Sequence, residues 1–176
     1  MNLYFRLTRL LLKYFLFSCF FRKSPPHPVL EPRQASFRAW PFDIDLNRHM
    51  NNGRFLSLMD LGRTDLMLST GLFQAAISKG WLAMAAGISI TYRRPVFPFQ
   101  RFHLQTQLIG WDEKWFYLEQ SFLGLNQEVL ARAYVRACLR DRGGVIAPAK
   151  ALEALPPQGL SAATHPPAPE VLAKFL

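Results

Sequence analysis

Between residues 81 and 140 four segments follow one another, and in three of them the side chains change character with a period of two. Leu82, Met84, Ala86, Ile88, Ile90 and Tyr92 alternate with Ala83, Ala85, Gly87, Ser89 and Thr91; Phe102, Leu104, Thr106 and Leu108 alternate with His103, Gln105 and Gln107. A third segment runs from Trp115 to Leu125. A fourth sets Val129, Ala131, Ala133, Val135, Ala137 and Leu139 against Arg132, Tyr134, Arg136, Cys138 and Arg140. Period two marks strands with one buried face. The links between them, such as Pro95–Pro98 and Asp112–Lys114, are short enough that neighbouring strands run antiparallel. The apolar face of such a sheet needs cover, and one long helical pattern precedes it: Phe55, Leu58, Met59, Gly62 and Leu66 recur at three- and four-residue spacing. A short strand over 34–42 comes before the helix, and a looser segment over 69–79 follows it. One strand, one long helix and four antiparallel strands make an α+β plan. At 176 residues, half of them apolar, the chain suits one domain with a substantial core.

The helix is preceded by the chain's densest group of polar side chains. Asp43-Ile44-Asp45-Leu46-Asn47-Arg48-His49-Met50-Asn51-Asn52 holds two carboxylates, three amides and a histidine in ten residues. Asn51 or Asn52 can cap the helix, and Gly53 lets the backbone turn sharply into it. Ionisable groups thus gather beside a helix N-terminus, where free N–H groups and the dipole favour developing negative charge. That arrangement suits an enzyme that handles a carbonyl. From the residues alone, Asp43 and Asp45 both remain open as the reactive carboxylate, and Asp45 could instead cap the turn before the helix.

Asp45-x-Asn47-x-His49-x-Asn51-Asn52 resembles the motif of hotdog-fold acyl-CoA/acyl-ACP thioesterases, in both the plant-type acyl-ACP enzymes and bacterial relatives of 4-hydroxybenzoyl-CoA thioesterase. The resemblance continues through Tyr92-Arg93-Arg94-Pro95 and Gly110–Phe116 and covers roughly residues 35–141. It implies a sheet wrapped around the long helix, with subunits pairing edge to edge as a homodimer or a dimer of dimers. It also implies hydrolysis of an acyl-CoA or acyl-ACP thioester, with no cofactor and no metal. Carried over by position, Asp45 is the nucleophile or general base, while Asn47 and His49 position water or substrate. Asn51, Asn52 and Gly53 form the oxyanion and substrate-positioning end of the helix. Asp60 falls where some relatives carry a functional acid, although it can equally pair with Arg63 or Arg54. Arg93 and Arg94 are placed to meet carrier phosphates, or are plain edge-strand charges. The plant-type enzymes have a further acid on the strand after the helix, whereas this chain has no Asp or Glu between Asp65 and Asp112. Hydratases of this fold resemble Asp-x-Asn-x-x-His; the spacing from Asp45 to His49 is one residue shorter, which favours hydrolysis. Enoyl-thioester hydration and non-catalytic acyl binding by a membrane-associated protein are the alternatives.

The formal charge is +9, but Arg6, Arg9, Lys13, Arg22 and Lys23 all precede the first acid, Glu31. The basic excess belongs largely to the N-terminus rather than to a nucleic-acid-binding surface, so no nucleic-acid partner is expected. Residues 1–23 read as an amphipathic helix in which Asn2, Arg6, Arg9 and Lys13 share one stripe within about 60° at about 100° per residue. Its longest uncharged run is too short to span a membrane, which takes about 20 residues. We therefore expect the helix to lie in a membrane interface; the alternative is packing on its own domain or a partner subunit. The protein is expected in the cytoplasm, on the inner face of a membrane. A proline-rich spacer covers 24–33, the thioesterase domain 34–147, and a C-terminal extension 148–176, with a short helix from Pro148 and a poorly ordered tail beyond it. Cys19 and Cys138 show no metal-type spacing and read as reduced apolar residues.

Overall fold

A computed structural model describes residues 3–20 and 25–155. Its elements are α1 (Leu3–Phe20), β1 (Arg33–Arg38), α2 (Asn52–Thr70), α3 (Leu72–Lys79), β2 (Leu82–Tyr92), β3 (Arg101–Trp111), β4 (Phe116–Leu123), β5 (Val129–Asp141), β6 (Gly144–Ile146) and α4 (Pro148–Glu153), with one 3-10 turn at Pro41–Asp43. The strands form one antiparallel sheet in the order β1-β3-β4-β5-β2, and β6 adds to β5. β1 and β2 are therefore the two open edges. The tail expected beyond residue 155 lies outside the described residues.

α2 lies on the apolar face of the sheet. Phe55, Leu58, Met59 and Leu66 are buried against Phe102, Leu104, Phe122, Leu130 and Val135. Burying each such side chain contributes about 1.5–3 kcal/mol. The contact is closest at Gly62, where an added Cβ would come within 2.7 Å of both Leu104 and Thr106. Beside it a polar knot crosses the interface. Fully buried Gln120 donates to the Met59 carbonyl (3.0 Å) and to Thr106 Oγ1 (2.9 Å), and accepts from Arg63 Nη1 (2.7 Å). Every polar atom of the Gln120 amide is thereby paired, which is what makes its burial tolerable.

The structure departs from the sequence pattern in four places. Residues 69–79 are not loose. α2 ends at Thr70, Gly71 takes a left-handed φ of 87°, and α3 begins at once. β2 does not keep one alternation. A bulge at Ala86 places two β2 residues opposite one on β5, so Ala83 and Ala85 pair with inward Leu139 and Ala137 before it, and Ile88, Ile90 and Tyr92 pair with inward Val135, Ala133 and Ala131 after it. Leu82 and Met84 consequently sit on the opposite face from Ile88, Ile90 and Tyr92. α4 packs into the main core through Ala151 and Leu152.

The fourth departure concerns α1. Arg6, read as part of a polar stripe, faces inward and is buried. It lies among Leu3 and Leu7, which pack against the core. The opposite stripe, Tyr4 (73% exposed), Phe5 (56%), Leu11 and Leu12, faces solvent. Among the described residues, no helix is long and apolar enough to cross a membrane.

Candidate active site

The polar stretch before α2 folds into a miniature hairpin. Ile44 bridges Met50, the Asp45 N–H donates to the His49 carbonyl (3.0 Å), and the Arg48 N–H donates to the Asp45 carbonyl (3.0 Å). Arg48 has φ 61°. This is the three-residue loop formed by a tight turn followed by a left-handed residue. Asp45 opens the turn, and its Oδ1 accepts the Asn47 N–H at 2.8 Å, the local bond that favours Asp at this place. The loop returns the chain so that His49 Nδ1 stands 3.9 Å from Asp45 Oδ1. Asp45 Oδ2 has no hydrogen-bond partner among the described residues. The spacing Asp-x-Asn-x-His is thus a loop geometry: the Asn47 backbone N–H steadies the carboxylate, and the histidine stands near it with Nδ1 3.4 Å from the Met50 carbonyl.

Below the hairpin, the Met50 N–H donates to the Val96 carbonyl and the Asn51 N–H to the Asp43 carbonyl, both at 2.8 Å. Asn51 is the helix cap, its Oδ1 accepting the Gly53 N–H at 2.9 Å. Asn52 is the first helical residue, so its N–H has no acceptor within the helix. His49 and Asn52 open onto a cleft of about 350 Å³ whose other walls include Phe55, Tyr92, Arg93 and Arg94. Phe55 stacks edge-on between Tyr92 (5.1 Å) and Phe122 (4.8 Å). The Tyr92 hydroxyl donates to the Asn52 carbonyl at 3.4 Å, and partial burial pushes its pKa upward, which keeps it a donor. Arg93 and Arg94 both donate their backbone N–H to the Leu130 carbonyl (2.8 and 3.0 Å) and leave their side chains exposed at the cleft rim.

The two candidate carboxylates have opposite surroundings. Asp43 is 2% exposed. Its Oδ2 accepts from Arg6 Nη2 at 2.5 Å and from the Trp40 N–H at 2.8 Å, and Arg54 Nε stands 3.8 Å from its other oxygen. Asp43 is thus the buried carboxylate, and its Oδ2 ties Arg6 and the Trp40 N–H to the base of the hairpin. Of the expected candidates, His49 and Asn52 line the cleft with Arg93 and Arg94 at its rim, while Asp45 and Asn47 lie on the hairpin turn and Asn51 and Gly53 at the helix cap. Asp60 does not join them within the chain. It pairs with Arg63 on the wall of a second cavity of about 190 Å³, farther along α2, whose apolar lining includes Leu66, Leu108, Phe116 and Leu118. Burial lowers the Arg63 pKa against the opposing pull of Asp60. Among the described residues no group of His, Cys, Asp and Glu is arranged to hold a metal.

Sequence reasoning missed the Tyr92 hydroxyl, whose partner is 40 residues away, and the Arg6–Asp43 pair, which spans 37. Gln120 did leave a signal. It interrupts the inward run Phe116, Leu118, Phe122, and a polar side chain on an apolar strand face has to find partners.

The family model described as "Thioesterase-like superfamily" matches residues 39–176. The chain belongs to that superfamily. It is 37% identical to Protein THEM6 of Xenopus laevis over 118 residues, which cover 67% of this chain and 55% of that protein. It is also 29% identical to the "Probable thioesterase YBR096W" of Saccharomyces cerevisiae, over 65% of this chain and 51% of the other. The chain thus spans about half the length of these curated relatives. Among solved structures it is similar to the YbaW probable thioesterase of Escherichia coli, with TM-score 0.64 and 22% identity, covering 69% of this chain and 97% of that one. That likeness identifies the architecture as the hotdog fold.

Proposed function

We propose that this superfamily member hydrolyses an acyl thioester carried on coenzyme A or an acyl carrier protein, with Asp45 as nucleophile or general base. The observation that carries this reading is the state of the Asp45 carboxylate. One oxygen is fixed by the Asn47 N–H and stands 3.9 Å from His49 Nδ1, the other has no hydrogen-bond partner among the described residues, and the hairpin leads directly into the start of α2. A thioester carbonyl placed at the Asn52 and Gly53 end of the helix meets an N–H donor and the positive end of the helix dipole, where its developing oxyanion is stabilised. Asp45 then attacks the carbonyl carbon, or takes a proton from a water that does. Asn47 and His49 hold that water or the carbonyl in line. The carrier thiolate leaves. On the nucleophile route water then hydrolyses the acyl–Asp45 anhydride, and on the base route Asp45 passes its proton to the thiolate, so both release the free acid and thiol. Arg93 and Arg94 at the rim meet the phosphates of the coenzyme A or phosphopantetheine carrier.

The open β2 edge supports assembly as a dimer. Its residues carry no charge from Leu82 to Tyr92, and Leu82, Met84, Ile88 and Tyr92 are exposed. An uncovered apolar edge of eleven residues calls for a partner. Antiparallel pairing of β2 with its copy sets the Tyr92 end of one strand beside the Leu82 end of the other. The cleft of one subunit then adjoins the Asp60–Arg63 cavity of the second, whose apolar walls suit the acyl chain. The outward apolar stripe of α1 supports peripheral attachment to a membrane.

The test is a panel of acyl-CoA and acyl-ACP substrates with free thiol release and enoyl hydration scored separately. Thiol release without hydration supports the reading. Hydration alone assigns the hydratase alternative, and neither product with measurable acyl-CoA binding assigns a non-catalytic carrier.

A further inference from the structure

α1 packs on α2, and on the side of the sheet away from β2 it faces β1 across a recess. Between them lies a groove of about 880 Å³. Four arginines line it: Arg6 and Arg9 from α1, Arg38 from β1 and Arg101 from β3. Its one acid, Asp65, is 2% exposed and bonded to Arg33 at 2.8 Å. Arg6 is committed to Asp43. Arg9, Arg38 and Arg101 have no acidic partner among the described residues. Arg38 stands 6.0 Å over the Trp40 ring, which gives the groove an aromatic wall beside its cations. Three guanidinium groups without an acidic partner around one recess offer charge and fork-shaped donors to a phosphate.

The neighbouring surface narrows the class of phosphate. At about 100° per residue, Arg9 lies about 40° around α1 from Phe5, so it stands on the border between the groove and the exposed stripe of Tyr4, Phe5, Leu11 and Leu12. A ligand with an anionic head and an apolar tail matches both surfaces at once. A soluble phosphate or a nucleic-acid backbone would leave the stripe bare.

We infer that the groove between α1 and β1 binds the phosphate headgroup of an anionic phospholipid through Arg9, Arg38 and Arg101. The inference rests on the membrane reading of α1 and adds lipid selectivity to it. The apolar stripe supplies attraction to any bilayer, and the groove supplies preference for an anionic one.

Sedimentation of the full chain with two kinds of vesicle tests this, one of phosphatidylcholine alone and one containing about 30% phosphatidic acid. The comparison uses Arg9→Gln/Arg38→Gln/Arg101→Gln and a control that removes equal charge elsewhere, Arg140→Gln/Arg142→Gln/Lys150→Gln. None of these six residues makes an ion pair among the described residues, and a thermal melt checks that each variant folds as the parent does. The parent should bind the anionic vesicles at least about tenfold more tightly than the neutral ones. The groove variant should lose that preference while keeping neutral binding, and the control should keep both. Equal loss in both variants overturns the groove and leaves general charge attraction. An unchanged preference in the groove variant also overturns it, without touching the membrane reading. Failure of the parent to bind either vesicle overturns both. Release from anionic vesicles by millimolar inorganic phosphate at constant ionic strength shows that the site takes the free anion, and overturns the lipid assignment.

Discussion

Asp43 and Asp45 are two residues apart on the same hairpin, yet their surroundings assign them opposite tasks. Asp43 lies at the base, 2% exposed, held by Arg6, the Trp40 N–H and the nearby Arg54. Its Oδ2 already accepts two hydrogen bonds, and moving the carboxylate would strand a buried arginine. Asp45 lies at the turn, with one oxygen fixed by Asn47 and the other open. Asp112 supplies a third reference point. Its Oδ1 accepts the Lys114 and Trp115 N–H groups (2.7 and 2.6 Å), and its Oδ2 accepts the Tyr117 hydroxyl (2.6 Å). Asp45 and Asp112 open similar turns, but only Asp45 keeps an uncommitted oxygen beside a histidine. Charge and sequence position do not separate the three carboxylates; the number of bonds each already makes does.

The largest effect should come from breaking the buried pair. Arg6→Leu leaves Asp43 charged and buried, and removing one partner of such a pair costs about 3–5 kcal/mol. In a chain of this size that lowers the melting temperature by roughly 10 °C. In an Asp43→Asn background the same substitution should cost measurably less, because the charge it would strand is gone. Equal melting-temperature losses in the two backgrounds would show that the pair is not coupled and that Asp43 is not the structural member of the comparison.

A smaller effect is expected at Asn51, which caps α2 and donates its backbone N–H to the Asp43 carbonyl. Asn51→Ala should cost about 1 kcal/mol by the loss of its cap, and should also lower activity by loosening the oxyanion end of the helix. Full activity with the stability loss would place the oxyanion site elsewhere.

The smallest effect concerns the reference turn. Burial, helped by the Asp112 carboxylate, pushes the Tyr117 pKa up to about 12. A group whose pKa is raised on folding stabilises the fold fully below its unfolded value of about 10. That contribution is lost as pH rises through about 12. Between those values the parent should lose stability that Tyr117→Phe does not lose. Burial also acts to raise the Asp112 pKa, but the Tyr117 hydroxyl and two backbone N–H groups outweigh it and hold its carboxyl below the usual range. Parallel alkaline melts of parent and variant would contradict the Tyr117 assignment.

The sheet and its central helix could be read directly from the sequence because their signals are local. Period two along β3 and β5 and the three- and four-residue spacing of Phe55, Leu58, Met59, Gly62 and Leu66 each arise within one element. The β2 alternation misled at Ala86, because a bulge is defined by a partner strand and an isolated strand gives no sign of it. The hairpin was legible as a set of residue types but not as an arrangement. Nothing near Asp43 in the chain indicates that Arg6 will reach it, so the two carboxylates looked alike until the structure brought α1 against the loop. The same docking buries Arg6, one member of the polar stripe that the sequence shows on α1.

The distinction between the two carboxylates is tested most directly by the turnover of Asp45→Asn and Asp43→Asn on one acyl-CoA, each measured beside its melting temperature. Asp45→Asn should melt close to the parent and lose at least about a hundredfold in rate, as expected when a nucleophile or general base is removed. Asp43→Asn should melt lower and, assayed well below its own transition, keep more of its rate. Parent-like turnover by Asp45→Asn together with a collapse of turnover in a folded Asp43→Asn would contradict the account and give the chemistry to the buried carboxylate.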